Sequence, residues 1–268
     1  GLTDASGTTW AQAMEAAGHD PHAIGADPGT LADLDVFVEL HVEQGRALEE
    51  TSHPVGVASA IWPHGRWRMD FTGRADHAGT TRLPDRSDPM LPFAHAVLAA
   101  RALAEEHDAR ATVAKARIAP NGTNAIPSSV SAWLDARAAD GAVLDAVVAG
   151  VREAAEQAAR EHGVGHAMVN ESLTPLVSFS HGLRDRLAAV VASRAPDPRV
   201  PVLPTGAGHD AGVLAAHVPT AMLYVRNPTG VSHSPHEWAR PEDCHSGVLA
   251  LADVLQDLLE RPVREGEG

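Results

Sequence analysis

The chain has 268 residues, 44% of them hydrophobic and 21% charged, as in a folded globular protein, and no apolar run approaches the roughly 20 residues of a membrane-spanning helix. Its formal net charge of −14 argues against nucleic acid as a partner, because that binding needs a basic surface. The only cysteine, Cys244, excludes an internal disulfide and a cysteine-based metal cluster, and a lone thiol fits the reducing cytoplasm.

The first 56 residues predict one short helix and one buried strand. Residues 8–18 have a helical pattern that stops at Gly18. The segment DVFVELHVEQG, residues 35–45, is mostly apolar or β-branched up to Leu40, as in a strand covered on both faces. It ends in a polar cluster, and α/β proteins often place ligands beside such strand ends.

Residues 57–172 predict a compact sandwich of strands and helices, because apolar residues alternate in some segments and recur at helical spacing in others. The predicted elements, in chain order, are strand 66–71, helix 90–100, strands 111–118 and 130–137, helix 144–158 and strand 166–173. This order, β-α-β-β-α-β, is that of a ferredoxin-like α+β fold.

Residues 173–268 return to alternating helices and strands. The predicted elements are helix 183–191, strands 199–203 and 220–225, and helix 248–259. Pro241 and Pro262 bracket the last helix, where proline is tolerated. We therefore predict an α/β domain formed by residues 1–56 and 173–268, with the sandwich inserted between its two parts.

Histidine is the residue type that first indicates metal or proton chemistry, although most of the 16 histidines are expected on the surface. His41 lies in the polar end of the first strand, between Glu39 and Gln44, and is either a metal ligand or a hydrogen-bonded structural residue. His233 lies in the irregular loop TGVSHSPHE, where Glu237 and two serines could orient its ring.

Three other motifs contain polar side chains with two possible explanations each. His209 and Asp210, in TGAGHDAG, form either a supporting pair beside a site or a helix cap. In the sandwich, His77 follows a strand among small residues that leave room for another group. Asn124 is either a polar residue of a site or a turn residue, and turn chemistry is a strong explanation for an asparagine in PNGTNAIP.

Arg137 ends a predicted strand and shares a face with Asp135. The two residues form either a surface ion pair of little energetic consequence or a site in which the guanidinium holds a substrate carboxylate through two parallel hydrogen bonds.

Five segments resemble, in this order, the motifs of a dinuclear-metal amidohydrolase family: FVELHVEQGRALE, GRADHAGTTRLPDRSDP, PNGTNAIPSSVSAWLDAR, GAGHDAG and GVSHSPHE. The branch contains N-carbamoyl-L-amino acid hydrolases, β-ureidopropionases and allantoate amidohydrolases. The resemblance runs over nearly the whole chain. It implies a metal-binding α/β domain interrupted by a small sandwich that serves as lid and dimerisation domain.

The resemblance also implies ligands for two divalent ions. Because these ligands are imidazoles and carboxylates, the ions could be Zn, Mn, Co or Ni. His41 is similar to the ligand of one metal and His233 to the ligand of the other. Related peptidases carry an acidic residue in place of His41, so a peptidase is disfavoured. His209, Asp210 and Glu237 resemble supporting residues near the metals.

For the substrate, the resemblance implies a small ureido or amide carboxylic acid. Gln44 would lie beside it, and Asn124 and Arg137 would hold its carboxylate. His77 resembles the histidine that crosses a homodimer interface and polarises the scissile carbonyl in the partner's site.

The family's other metal ligands, a His, an Asp and a Glu, and its catalytic Glu lie upstream of the matched region. Nothing upstream of His41 supplies them, since no His-x-Asp stretch occurs there in a strand–loop setting. We therefore expect the C-terminal two-thirds of a metal-dependent hydrolase of linear C–N bonds. The alternative is a catalytically inactive homologue or fragment that only dimerises or binds carboxylates.

Overall fold

A computed structural model describes residues 3–4, 6–51, 53–195 and 197–263, which divide into two units between Val36 and Phe37. The first unit contains the helices α1 (Trp10–Ala16) and α2 (Pro28–Ala32) and a 3₁₀ helix, Pro21–Ala23. Thr9 begins α1 with a capping box, in which the Thr9 hydroxyl accepts from the Gln12 amide and the Gln12 side chain accepts from the Thr9 amide.

The second unit contains two larger sheets with helices on their faces. In chain order its elements are β1 (Phe37–Val42), β2 (Val55–Ile61), β3 (His64–Thr72), β4 (Asp76–His77), the 3₁₀ helix Leu83–Asp85, α3 (Met90–Glu106), β5 (Arg110–Ala119), β6 (Ala125–Ile126), β7 (Ser129–Arg137), α4 (Gly141–Glu161), β8 (Gly165–Thr174), β9 (Val177–Ser178), α5 (His181–Ala192), β10 (Val202–Thr205), α6 (Asp210–Leu214), β11 (Thr220–Val225) and α7 (Pro241–Glu260).

The first large sheet has the strand order β1-β11-β2-β10, and β9 pairs with β2. β1 runs parallel to β11 and β10 runs parallel to β2, whereas β11 and β2 are antiparallel. All six residues of β11 are buried, as expected for a strand covered on both faces. The sheet places the ends of β1 and β11 side by side, with His41 opposite Tyr224.

The second large sheet is antiparallel throughout and has the strand order β5-β7-β3-β8. With α3 and α4 on one face it has the ferredoxin-like arrangement, which confirms the predicted fold class. Alternate residues of β7 are buried, and Leu134 and Ala136 pack with Val147 and Val151 of α4 in one core. The opposite face of the sheet is only partly covered, and it contains Arg137.

The structure differs from the predicted organisation at β2, a strand for which the sequence pattern gave no expectation. Its segment VGVASAI is rich in small residues, which weakens the β pattern. A side chain at Gly56 would meet Leu48, so glycine permits close packing there. The expected border at residues 56–57 falls inside β2, and the chain passes from the first sheet to the second between Ile61 and His64.

No helix among the described residues is long and apolar enough to cross a membrane.

A buried ion pair fixes the end of β11 to the start of α7. Arg226 donates to both carboxylate oxygens of Asp243, at 2.7 and 3.0 Å, and Asp243 is only 2% exposed. We expect Asp243→Ala to lower the free energy of unfolding by about 3 kcal/mol, because it leaves the Arg226 charge without its closest partner. Urea denaturation measures this loss. Glu242→Ala, at the exposed neighbouring position, should change stability by less than about 1 kcal/mol; an equal loss in both variants would contradict this role for the pair.

Candidate active site

The end of β1 brings together three side chains that can bind a metal. Glu39 and His41 lie on the same face of the strand, since side chains alternate along it. His209, in the loop before α6, completes the group, and one potential ligand atom from each residue lies within 4.8 Å of the others. The rings of His41 and His209 meet edge to face, with centroids 4.6 Å apart.

Hydrogen bonds fix the tautomers of both imidazoles. His41 Nδ1 donates to the carbonyl oxygen of Val42 at 2.7 Å, so in the neutral tautomer Nε2 is the acceptor. His209 Nδ1 faces Glu39 Oε1 at 3.3 Å, which likewise leaves Nε2 as the acceptor. The other oxygen of Glu39 accepts from the backbone N–H of Ala211 at 2.8 Å. Glu39 therefore orients His209 and ties it to the start of α6.

The environment of His209 fits a divalent ion. Its side chain is 2% exposed, and among the described residues its buried Nε2 has no hydrogen-bond partner. A buried polar atom without a partner is costly unless something binds it. Burial lowers the pKa of His209, and His41 lowers it further, so the ring is neutral near pH 7. Two imidazoles beside a carboxylate form a donor set that Zn, Mn, Co and Ni all accept.

A groove of about 690 Å³ lies between the two sheets, next to this cluster. Tyr224 connects them, because it lines the groove and its ring centroid lies 6.5 Å from that of His209. Gln44 and His233 also line the groove, and the Gln44 amide donates to the Ser232 hydroxyl at 3.1 Å. The structure thus brings the end of β1 to the loop that contains His233.

His233 is exposed and has a left-handed backbone with φ of 55°. Such a conformation is uncommon for a residue with a side chain and occurs often at functional sites. Glu237 accepts from the backbone N–H of His233 at 3.1 Å, so Glu237 fixes the loop through the main chain rather than through the imidazole. His233 lies outside the cluster of Glu39, His41 and His209.

Arg137 projects into the groove from the second sheet. Its guanidinium donates to both carboxylate oxygens of Asp135, at 2.7 and 3.0 Å, and to the carbonyl oxygen of Gly206 at 2.6 Å. Burial tends to raise the pKa of Asp135, but Arg137 and Arg66 outweigh it and hold that pKa below its usual value. Three of the five guanidinium N–H groups are used, which leaves one on each Nη nitrogen for a ligand.

His77 and Asn124 lie together at the other end of the sandwich. His77 pairs with Ala125 through β4 and β6, and the Asn124 carbonyl accepts from the Ala78 amide at 2.9 Å. The His77 Nδ1 accepts from the backbone N–H groups of Gly79 and Thr80, at 3.0 and 3.2 Å. A neutral ring therefore carries its proton on Nε2, where it can donate to a substrate.

β7 extends about 27 Å from Ser129 to Arg137, at a rise of about 3.4 Å per residue, and Asn124 lies five residues before its Ser129 end. Asn124 and Arg137 therefore stand at opposite ends of β7. Of the residues predicted from sequence, His41 and His209 are in contact in the cluster. Gln44, Arg137 and His233 line the same groove. Asp210 begins α6 directly after His209.

Glu39 is the member of the cluster that was not among the candidate residues. It lies two positions before His41 in VELHV, and the period-two rule for strands places both side chains on one face. This spacing of two residues is the sequence signal by which Glu39 can be recognised as a neighbour of His41. Its contact with His209 depends on the packing of α6 against β1, which no local pattern contains.

Comparison with known proteins identifies related sequences. The sequence profile of Peptidase family M20/M25/M40 matches residues 11–257. An N-carbamoyl-L-amino acid amidohydrolase of Geobacillus stearothermophilus is 35% identical over 270 residues, which cover 96% of this chain and 63% of that protein. An allantoate amidohydrolase of Escherichia coli strain K12 is 29% identical over 266 residues, covering 96% and 62%.

A solved structure has the same fold. It is an amidase of the hydantoinase/carbamoylase family from Burkholderia vietnamiensis, with a TM-score of 0.86 and 28% identity, and the match covers 97% of this chain and 62% of that one. The resemblance found in the sequence motifs is thereby confirmed. The chain spans less than two-thirds of the length of these relatives.

Proposed function

The chain belongs to Peptidase family M20/M25/M40, and from this premise we propose that it is part of a divalent-metal-dependent hydrolase of linear amide or ureido C–N bonds in small carboxylic acids. The observation that carries the proposal is the group of Glu39, His41 and His209 beside a groove that presents the guanidinium of Arg137. This combination suits a substrate with a polar bond to cleave near one end and a carboxylate at the other.

In the proposed site His41 holds one of two divalent ions and His233 holds the other. Such ions supply Lewis acidity and lower the pKa of water toward about 7. We propose that the remaining ligands and the general base lie outside this chain, a view supported by the share of its relatives that it spans. Glu39 contacts the Nδ1 side of the His209 ring, which leaves Nε2 available as a metal ligand.

The substrate carboxylate binds the two free N–H groups of Arg137, which Asp135 and Gly206 hold in place. Gln44 lies in the same groove and can hydrogen-bond the ureido or amide group. His77 follows the end of β3 that pairs with Ser129, whereas Arg137 pairs with His64 at the other end of that strand. We propose that His77 and Asn124 serve the site of a second copy in a homodimer formed through the sandwich, where His77 Nε2–H stabilises the developing oxyanion.

The test uses the native, metal-loaded protein, which we expect to recover from the cytoplasmic fraction. It should hydrolyse N-carbamoyl-L-amino acids or allantoate, lose activity with a chelator and regain it with Zn²⁺ or Mn²⁺. Dipeptides should be poor substrates. Carboxylate binding without hydrolysis of any ureido or amide acid would instead favour the alternative, a catalytically inactive module that dimerises or binds carboxylates.

A further inference from the structure

Two arginines face each other where the groove meets the sandwich. Arg110 begins β5 and is the direct cross-strand partner of Arg137 at the end of β7. Both residues line the groove. Like charges directly opposite each other in a sheet destabilise it, so an anion bound between the two arginines would stabilise the pair. Directly opposed side chains have Cβ atoms about 4.5–5.5 Å apart, which a short dicarboxylic acid can span.

Among the described residues, the charge of Arg137 is matched far more closely than that of Arg110. Arg137 has its bidentate partner in Asp135. Arg110 donates to the carbonyl oxygen of its neighbour Ala109 at 2.8 Å and makes a long contact of 3.4 Å with Asp108. The Asp108 side chain is 97% exposed, so water screens that contact strongly.

The Arg110 side chain is 63% exposed, so a ligand in the groove can reach it. Its guanidinium lies 5.9 Å from the centroid of the Trp62 ring, which forms a wall of the groove. Stacking on an aromatic ring restrains a long side chain and leaves its N–H groups free at the edges. Thr112, the next residue of β5 on this face, lines the same groove and offers a hydroxyl.

We infer that the groove selects a ureido acid with two carboxylates, one held by Arg137 and the other by Arg110. This inference rests on the proposed function and names its substrate class. A substrate with an acidic side chain places its second carboxylate near Arg110, whose carboxylate partner among the described residues is the exposed Asp108. A neutral side chain of the same size gains no such contact.

Matched substrates test this directly on the native, metal-loaded protein. The kcat/KM for N-carbamoyl-L-aspartate and N-carbamoyl-L-glutamate should exceed that for the asparagine and glutamine analogues by about tenfold or more, the size of one charge-assisted hydrogen bond. Arg110→Gln should bring this ratio close to one, and Arg110→Lys should retain part of it. Lys115→Gln, on the same sheet face outside the groove, should leave both rates unchanged.

A binding measurement separates this inference from the proposed function. By calorimetry the protein should bind succinate more tightly than the monoanion succinamate, and Arg110→Gln should remove the difference. If no ureido acid is hydrolysed but this difference in binding persists, the proposed function is wrong, whereas the binding of a dicarboxylate by Arg110 and Arg137 is supported. Equal kcat/KM for the acidic and neutral substrates, or a preference that Arg110→Gln does not change, would overturn the inference.

Discussion

An equimolar mixture of His77→Ala and Arg137→Ala proteins should regain about one quarter of wild-type activity after subunit exchange. Each variant alone should lose about two to three orders of magnitude in kcat/KM. Removing an oxyanion donor typically costs that much. Removing both hydrogen bonds from Arg137 to a carboxylate costs about 3–4 kcal/mol, a comparable factor.

The expectation of recovery follows from the separation of the two residues by the length of β7. If each site combines the Arg137 of one chain with the His77 of the other, a mixed dimer contains one site with both residues intact. Random exchange makes half of all dimers mixed, and half of the sites in those dimers are active. Activity of the mixture, measured after mild dissociation or co-expression, therefore approaches one quarter.

A double variant provides the matched control. When His77→Ala/Arg137→Ala protein is mixed with an equal amount of wild type, neither site of a mixed dimer is intact, so activity should fall from one half to about one quarter of that of pure wild type. If both residues served a site in the same chain, the first mixture would stay inactive and the second would keep one half. That result would contradict the two-chain site.

The second large effect is expected at His41. Its Nδ1–H is held by the Val42 carbonyl and its Nε2 lies in the cluster with His209, so replacement by alanine removes a preorganised ligand. We expect His41→Ala to lower kcat/KM by about a thousandfold or more, because metal-ion catalysis supplies several kcal/mol and each 1.36 kcal/mol is a factor of ten. Elemental analysis should show loss of one metal equivalent.

His236→Ala provides the comparison for this experiment. His236 is exposed in the same loop as His233 and lies outside the groove and the cluster. Its replacement should change kcat/KM by less than about twofold, as for most surface substitutions. Full activity and unchanged metal content in His41→Ala would remove His41 from the proposed metal site.

The sequence by itself determined most of the longer helices and strands and the ferredoxin-like order, because these depend on local periodicity. The alternation in β7 and the apolar stripe of α4 place their core faces without knowledge of the rest of the chain. The resemblance of its motifs to those of a known family also singled out His41, Gln44 and His233, whereas the residue pattern alone left His41 open between a metal ligand and a structural residue. The strand β2 lay beyond this kind of inference, because its small residues fit by close packing and not by pattern.

Tertiary structure alone decided which of these residues act together. Glu39 reaches His209 across 170 positions of sequence only because β1 pairs with β11 and α6 packs beside them. The register of β5 on β7 sets Arg110 opposite Arg137, and the same strand keeps Asn124 away from that arginine. Contacts of this kind depend on strand pairing and register, which long-range packing fixes and a local sequence pattern does not encode.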